Sequence, residues 1–168
     1  MKRAIATLLF SALCLAAVAQ TSVAIGVKMP EGTPLSPRAQ QLVLKKMQQL
    51  ATLNSVGSEA TDTRFSLTPM VSIVESNVAS TAPPRQLVKL SLVLVIADNA
   101  GSQSTLAQVE LSAKGVGDSE EAAVLNALQQ VDIRSATLKR FMEQGKKKIA
   151  ALPPAAPAAV ADTASVEE

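Results

Sequence analysis

From Gln86 to Ala97 the chain reads QLVKLSLVLVIA. Val88, Leu90, Leu92, Leu94 and Ile96 recur at every second residue, a spacing that gathers them on one face of an extended strand and scatters them around a helix. Lys89 and Ser91 open the other face, and Val93 and Val95 continue it. A strand this apolar needs pairing along both edges and cover over at least one face, so it is expected at the centre of a sheet. The rest of the chain has to supply those partners and that cover.

The partners are legible on either side. Asp98 to Ser104 (DNAGSQS) is a polar turn around Gly101, and Thr105 to Lys114 then alternates Ala107, Val109 and Leu111 against Gln108, Glu110 and Ser112. Together with the apolar run this reads as a hairpin. Upstream, Arg64 to Ser76 (RFSLTPMVSIVES) aligns Phe65, Leu67, Val71 and Ile73 on one face. Pro69 removes a ladder donor from it, which predicts an edge position or a bulge. Asn77 to Pro84 (NVASTAPP) reads as a break, and Thr21 to Val27 as a short strand through Val23, Ile25 and Val27.

Three helices are expected to cover the sheet. Ser36-Pro37 places an N-cap before a proline at the first helical position. Ala39, Leu42, Val43, Met47, Leu50 and Ala51 then recur at helical spacing, with Lys45, Gln48 and Gln49 outward and an end near Asn54. Ala122, Leu125, Leu128 and Val131 mark a second helix, and Leu138, Phe141, Met142 and Ile149 a third from about Ser135 to Leu152. Gly145 lies near that last stripe, where the missing side chain lets the helix approach a neighbour closely. The expected order is β-α-β-β-β-α-α, an α/β chain of the α+β type with a mainly antiparallel sheet of three to four strands covered by helices.

The ends read differently. Lys2 and Arg3 precede an apolar run from Ala4 to Val18, and Ala17-Val18-Ala19 precedes Gln20. A charged start, a short apolar core and a small-x-small site are the parts of a secretory signal peptide, here residues 1–19, and the run is shorter than the roughly 20 residues of a spanning helix. Cys14 is a poor lipidation site, because Leu13 stands where such a signal has Gly, Ala or Ser. Residues 20–152 then form one domain, and 153–168 (PPAAPAAVADTASVEE) are expected to be a disordered tail with too little apolar surface to offset its ordering entropy. The protein is expected outside the cytoplasm, in the periplasm or attached to the envelope.

Without the leader, 16 basic residues become 14, level with 14 acidic ones, so the charge balance gives no reason to expect nucleic acid. No His, Cys, Trp or Tyr remains, and Phe65 and Phe141 are the only aromatics. That composition excludes the usual zinc sites, the Ser-His and Cys-His nucleophile pairs, and a stacking platform for single strands or sugars. No cofactor is expected. Catalysis by carboxylates or lysines is the remaining enzymatic alternative, but Glu75, Asp98 and Glu110 have no spacing that enforces a pair.

Two motifs compete for a function. In Ala113 to Ala122 (AKGVGDSEEA), Gly115 and Gly117 read as a turn from strand to helix, with Asp118 as N-cap and Glu121 completing a capping box. The third glycine of a dinucleotide fingerprint and the lysine of a phosphate loop are missing, and the acids would repel an anion. Lys139, Arg140, Lys146, Lys147 and Lys148, relieved only by Glu143, form a basic surface on the third helix. These five are the candidates for contact with an acidic partner or with anionic lipid headgroups.

The element order, with Val23-Ala24-Ile25 at its start, the helix from Ser36, the Asp98-x-x-Gly101 turn, and Lys114-Gly115-Val116-Gly117 running into Ser119, Ala122, Ala123 and Ala127, resembles the small α/β domain of CsgG-like, LpoB-like and TolB N-terminal envelope proteins. The resemblance covers most of the chain after the leader. It implies a non-enzymatic domain that binds other envelope proteins, often within an assembly. The loops are too short for the membrane-inserting hairpins of a pore, and the third helix and the tail lie outside the shared pattern. The expectation is therefore a secreted cell-envelope accessory protein working through protein contacts. A homo-oligomer and a peripheral membrane contact through the basic helix stay open.

Overall fold

The computed structural model describes residues 23–57, 63–100 and 104–153. The expected signal peptide and the tail beyond Pro153 lie outside the described residues, as does Gly101 of the hairpin turn. The elements are β1 (Ile25–Val27), α1 (Pro37–Leu53), β2 (Phe65–Ala79), β3 (Arg85–Asp98), β4 (Ser104–Gly117), α2 (Glu120–Gln130) and α3 (Ala136–Ala151). They follow the expected order. The sheet runs β1-β2-β3-β4, with β1 parallel to β2 and the remaining pairs antiparallel.

The apolar run becomes β3, paired along both edges. Val88, Leu90, Leu92, Leu94 and Ile96 are buried against the helices, in one core with Met47 and Leu50 of α1, Leu128 of α2, and Leu138 and Met142 of α3. Every helix packs on this one face of the sheet. Asp98, next in the same alternation, is also buried.

Pro69 obeys the rule that a proline in a sheet turns its missing donor to an unpaired side. Lys28 N donates to the Leu67 carbonyl at 3.1 Å, so Leu67 faces β1, and Pro69, two residues on, faces the same way. β1 pairs with β2 only over Phe65–Leu67, so Pro69 stands just past its end. β2 is thus interior at its start and an edge afterwards. The register shifts between Ile73 and Glu75, leaving Val74 as a bulge. Beyond it the strand continues to Ala79, and Asn77–Ala79, expected as a break, pair with Arg85–Leu87.

The glycine motif is corrected by the structure. Gly115 and Gly117 do not turn the chain: they are strand residues paired with Val88 and Gln86. A Cβ on Gly115 would stand 2.0 Å from the Ala123 carbonyl oxygen, and one on Gly117 2.4 Å from the Ala123 nitrogen. Their smoothness lets α2 lie directly on β4. The small residues therefore carry the contact. Ala123, Val124, Ala127 and Leu128 are the buried stripe of α2, while Ala122 and Leu125, expected inward, are partly exposed.

The cap also moves by one residue. Ser119, in extended conformation, accepts from Ala122 N at 3.2 Å, whereas Asp118 is 88% exposed and lies 3.9 Å from Arg85. Glu121, with Glu120, contributes charge to the first turn, where the helix dipole favours it. Ser119→Ala is expected to cost about 1 kcal/mol and Asp118→Ala under about 0.5 kcal/mol. Urea denaturation of the two variants checks this, and the reverse ranking would return the cap to Asp118.

Candidate functional site

The basic residues of α3 do not act as one group. Lys146 reaches back to α1 and donates to the Asn54 carbonyl at 3.0 Å, at the C-terminal end of that helix. Lys46 of α1 does the same for α2, donating to Gln129 O at 3.0 Å and Val131 O at 2.8 Å. Burial of the Lys46 ammonium lowers its pKa, and Asp132 opposes the shift. These two lysines tie the helix layer together by neutralising exposed carbonyls at helix ends. Lys139, Arg140, Lys147 and Lys148 remain exposed on the solvent side of that layer.

The three carboxylates singled out from the sequence are also kept apart. Asp98 is held by Arg64: Nε lies 3.0 Å from Oδ1 and 3.1 Å from Oδ2, and Nη2 lies 2.8 Å from Oδ2. The same carboxylate accepts from Ala100 N at 2.9 Å, and Arg64 Nη1 donates to Pro153 O at 2.9 Å. Arg64, then Ala100, hold the Asp98 carboxyl below the usual carboxylate range, against the opposing effect of burial. Such a group is engaged as a clip between β2, β3 and the segment after α3. Glu110 is exposed and accepts from Ser91 at 2.8 Å, and Glu75 accepts from Asn77 at 2.6 Å. Among the described residues no three acidic side chains gather where they could hold a metal ion.

What the sequence did not single out is the second face of the sheet. All three helices pack on the other side, so most outward residues of β2, β3 and β4 are left without a helix over them. The register sorts them into rows across the three strands. Val93 lies between Met70 and Glu110, Ser91 between Ser72 and Ser112, Lys89 between Glu75 and Lys114, and Leu87 between Asn77 and Val116. Leu87 and Val116, neighbours in one row, are 42% and 41% exposed, and Met70 is 44% exposed. The last two rows, Glu75, Lys89, Lys114, Asn77, Leu87 and Val116, share with Val88, Gly115 and Gln130 at the end of α2 the lining of a depression of about 400 Å³. Its lining is mixed, with Leu87, Val88 and Val116 beside Glu75, Lys89 and Lys114. What this surface offers is shape, exposed apolar area and charged groups of both signs.

Periodicity points to this face only indirectly. Outward residues of a half-covered sheet are usually polar, so Val93 and Val95 behind Lys89 and Ser91 are the available signal.

No family model matches the chain, and no curated protein matches it. Among solved structures, a minor lipoprotein from Acinetobacter baumannii is similar, with a TM-score of 0.42 and 14% identity over 77% of this chain and 94% of that one. A candidate lipoprotein from Caulobacter crescentus CB15 is similar with a TM-score of 0.41 and 12% identity, over 77% of this chain and 93% of that one. A hypothetical protein, CT253, from Chlamydia trachomatis is similar with a TM-score of 0.32 and 10% identity, over 77% of this chain and 95% of that one. These likenesses are too slight to extend to activity or partner.

Proposed function

We propose that this is an exported cell-envelope protein that binds another protein through the helix-free face of its sheet. The observation that carries the reading is the adjacent pair Leu87 and Val116, exposed over a depression rimmed by Glu75, Lys89 and Lys114. A lone exposed apolar residue is ordinary, but neighbouring ones beside a charged rim have the composition of a protein interface. The N-terminal run with its small-x-small site supports export. Binding is favoured over catalysis by the residues after the leader, which include no His or Cys, and by the engagement of Asp98 with Arg64. The face would take a partner that supplies an apolar side chain for the Leu87–Val116 row and charges of both signs for the rim.

The exposed cations Lys139, Arg140, Lys147 and Lys148 offer a second surface on the opposite side of the molecule. The two surfaces can be separated in one experiment. A photo-crosslinking residue is placed at Leu87 or Val116, and in parallel at Lys139 or Arg140, in cells expressing the full chain. The expected result is one reproducible adduct with an envelope protein from the sheet positions. Adducts from the helix positions alone would move the partner site to the basic surface, and labelled lipid there would make it a membrane contact. Silence at all four would overturn the reading.

A further inference from the structure

β4 is the last described strand of the sheet, so one of its edges is free of any described strand. This strand is 14 residues long and pairs, among the described residues, only with β3. Strands are usually about 5–6 residues, and a long unpaired edge is a template for another strand unless it is blocked. β4 contains no proline, and its one register irregularity sits near its start, opposite Ile96/Ala97. From Ala107 to Gly117 the ladder is uninterrupted. Beside this edge Leu111, Ser112, Ala113 and Lys114 share a depression of about 290 Å³ with Gln130, Val131, Asp132, Ser135 and Thr137 at the junction of α2 and α3.

The pattern of charge indicates what fits. Glu110 and Lys114 are both exposed on the outward face, and Ser112 lies midway between them. Ser112 is also the midpoint of the uninterrupted ladder Ala107–Gly117. In an antiparallel pair of two β4 strands with a two-fold axis at Ser112, each residue faces the one equally far beyond the axis. Glu110 of one copy then meets Lys114 of the other, twice, Leu111 meets Ala113, and Gln108 meets Val116. A shift of one or two residues removes both charge pairs. Opposite charges directly across a strand pair are stabilising and like charges destabilising, so this register is selected by charge as well as by length.

We propose that two copies of this chain join through the free edges of β4, antiparallel about an axis at Ser112, into one continuous sheet. Such an isologous contact satisfies both edges at once and closes the assembly at two copies. It goes beyond the partner-binding reading, because it uses the edge of the sheet rather than its face. The helix-free faces of the two copies would then form one surface.

Sedimentation of the purified full chain tests the proposal, with Cys14→Ser as background so that any introduced cysteine is the sole thiol. The expected result is a dimer that Glu110→Lys and Lys114→Glu each weaken roughly ten-fold, because two cross-strand pairs become repulsive at once. The double reversal restores it, which also shows that these positions tolerate the exchange. Under oxidation Ser112→Cys is expected to give a disulfide-linked dimer and Gln108→Cys none. A monomer at every concentration, a dimer indifferent to the single reversals, or equal crosslinking from both positions would each overturn the proposal.

Discussion

Gly115→Ala is expected to destabilise the domain by about 3 kcal/mol or more, while Gly145→Ala leaves it nearly unchanged. Both glycines are buried where a helix touches the sheet, so exposure does not distinguish them. What a new methyl group would meet does. At Gly115 it would lie 2.0 Å from the Ala123 carbonyl oxygen, 2.5 Å from Ala127 N and 2.8 Å from Ala127 Cβ. Those are atoms of a helix backbone, and moving them means lifting α2 off β4. At Gly145 the clash, at 2.5 Å, is with Cδ1 of Ile96, the end of a side chain that can turn to another rotamer. The cost of that adjustment is offset by the gain of about 0.5–1 kcal/mol when Ala replaces Gly inside a helix. Urea denaturation gives both numbers. If Gly115→Ala came within about 0.5 kcal/mol of the parent, α2 would not rest on β4 as closely as described.

The same contact marks where the sequence was readable and where it was not. Alternation located β3 and its inward face, because a run of Leu, Val and Ile with a period of two has one consistent solution. Ser36-Pro37 and the buried stripe of α3 were equally plain, and Gly145 lies as expected where the helix approaches the sheet. On α2 the expected Leu128 and Val131 are buried, but Ala122 and Leu125 are not, because ranking residues by hydrophobicity selects Leu125 over Ala123. Steric fit selects the alanine, since only a small side chain can sit over Gly115 and Gly117. Asn77–Ala79 and Val116–Gly117 carry little strand signal, and they are extended because β3 offers a ladder on each side. The candidate site was harder still. Leu87 and Val116 become a surface feature only once all three helices are known to pack on the other face, a tertiary fact without local encoding.

Asp98→Asn is expected to lower the melting temperature at neutral pH by more than any exposed substitution on this sheet, and the deficit should shrink in acid. Asp98 is 5% exposed and its carboxylate is bonded to both Nε and Nη2 of Arg64, so the amide would leave a guanidinium facing a neutral group inside the fold. Arg64 also donates to Pro153 O, and Asn99 N donates to Arg64 O at 2.7 Å. Loss of the clip therefore loosens the start of β2, the end of β3 and the segment after α3 together. The sign of the pH effect follows from the lowered pKa of Asp98 in the folded state. In the unfolded chain the group titrates near its ordinary value, about 3.9. Above that pH it is ionised in both states and its full contribution is present. As pH falls below it, the unfolded state takes up the proton first, and the contribution drains away until the folded carboxyl is protonated too. The parent and Asp98→Asn should therefore differ by a constant amount from neutral pH to about 5 and converge below about 4. All other carboxylates titrate in both proteins, so the difference isolates this one. A gap that persisted unchanged to pH 2 would mean that the Arg64–Asp98 bond contributes through shape alone, not charge.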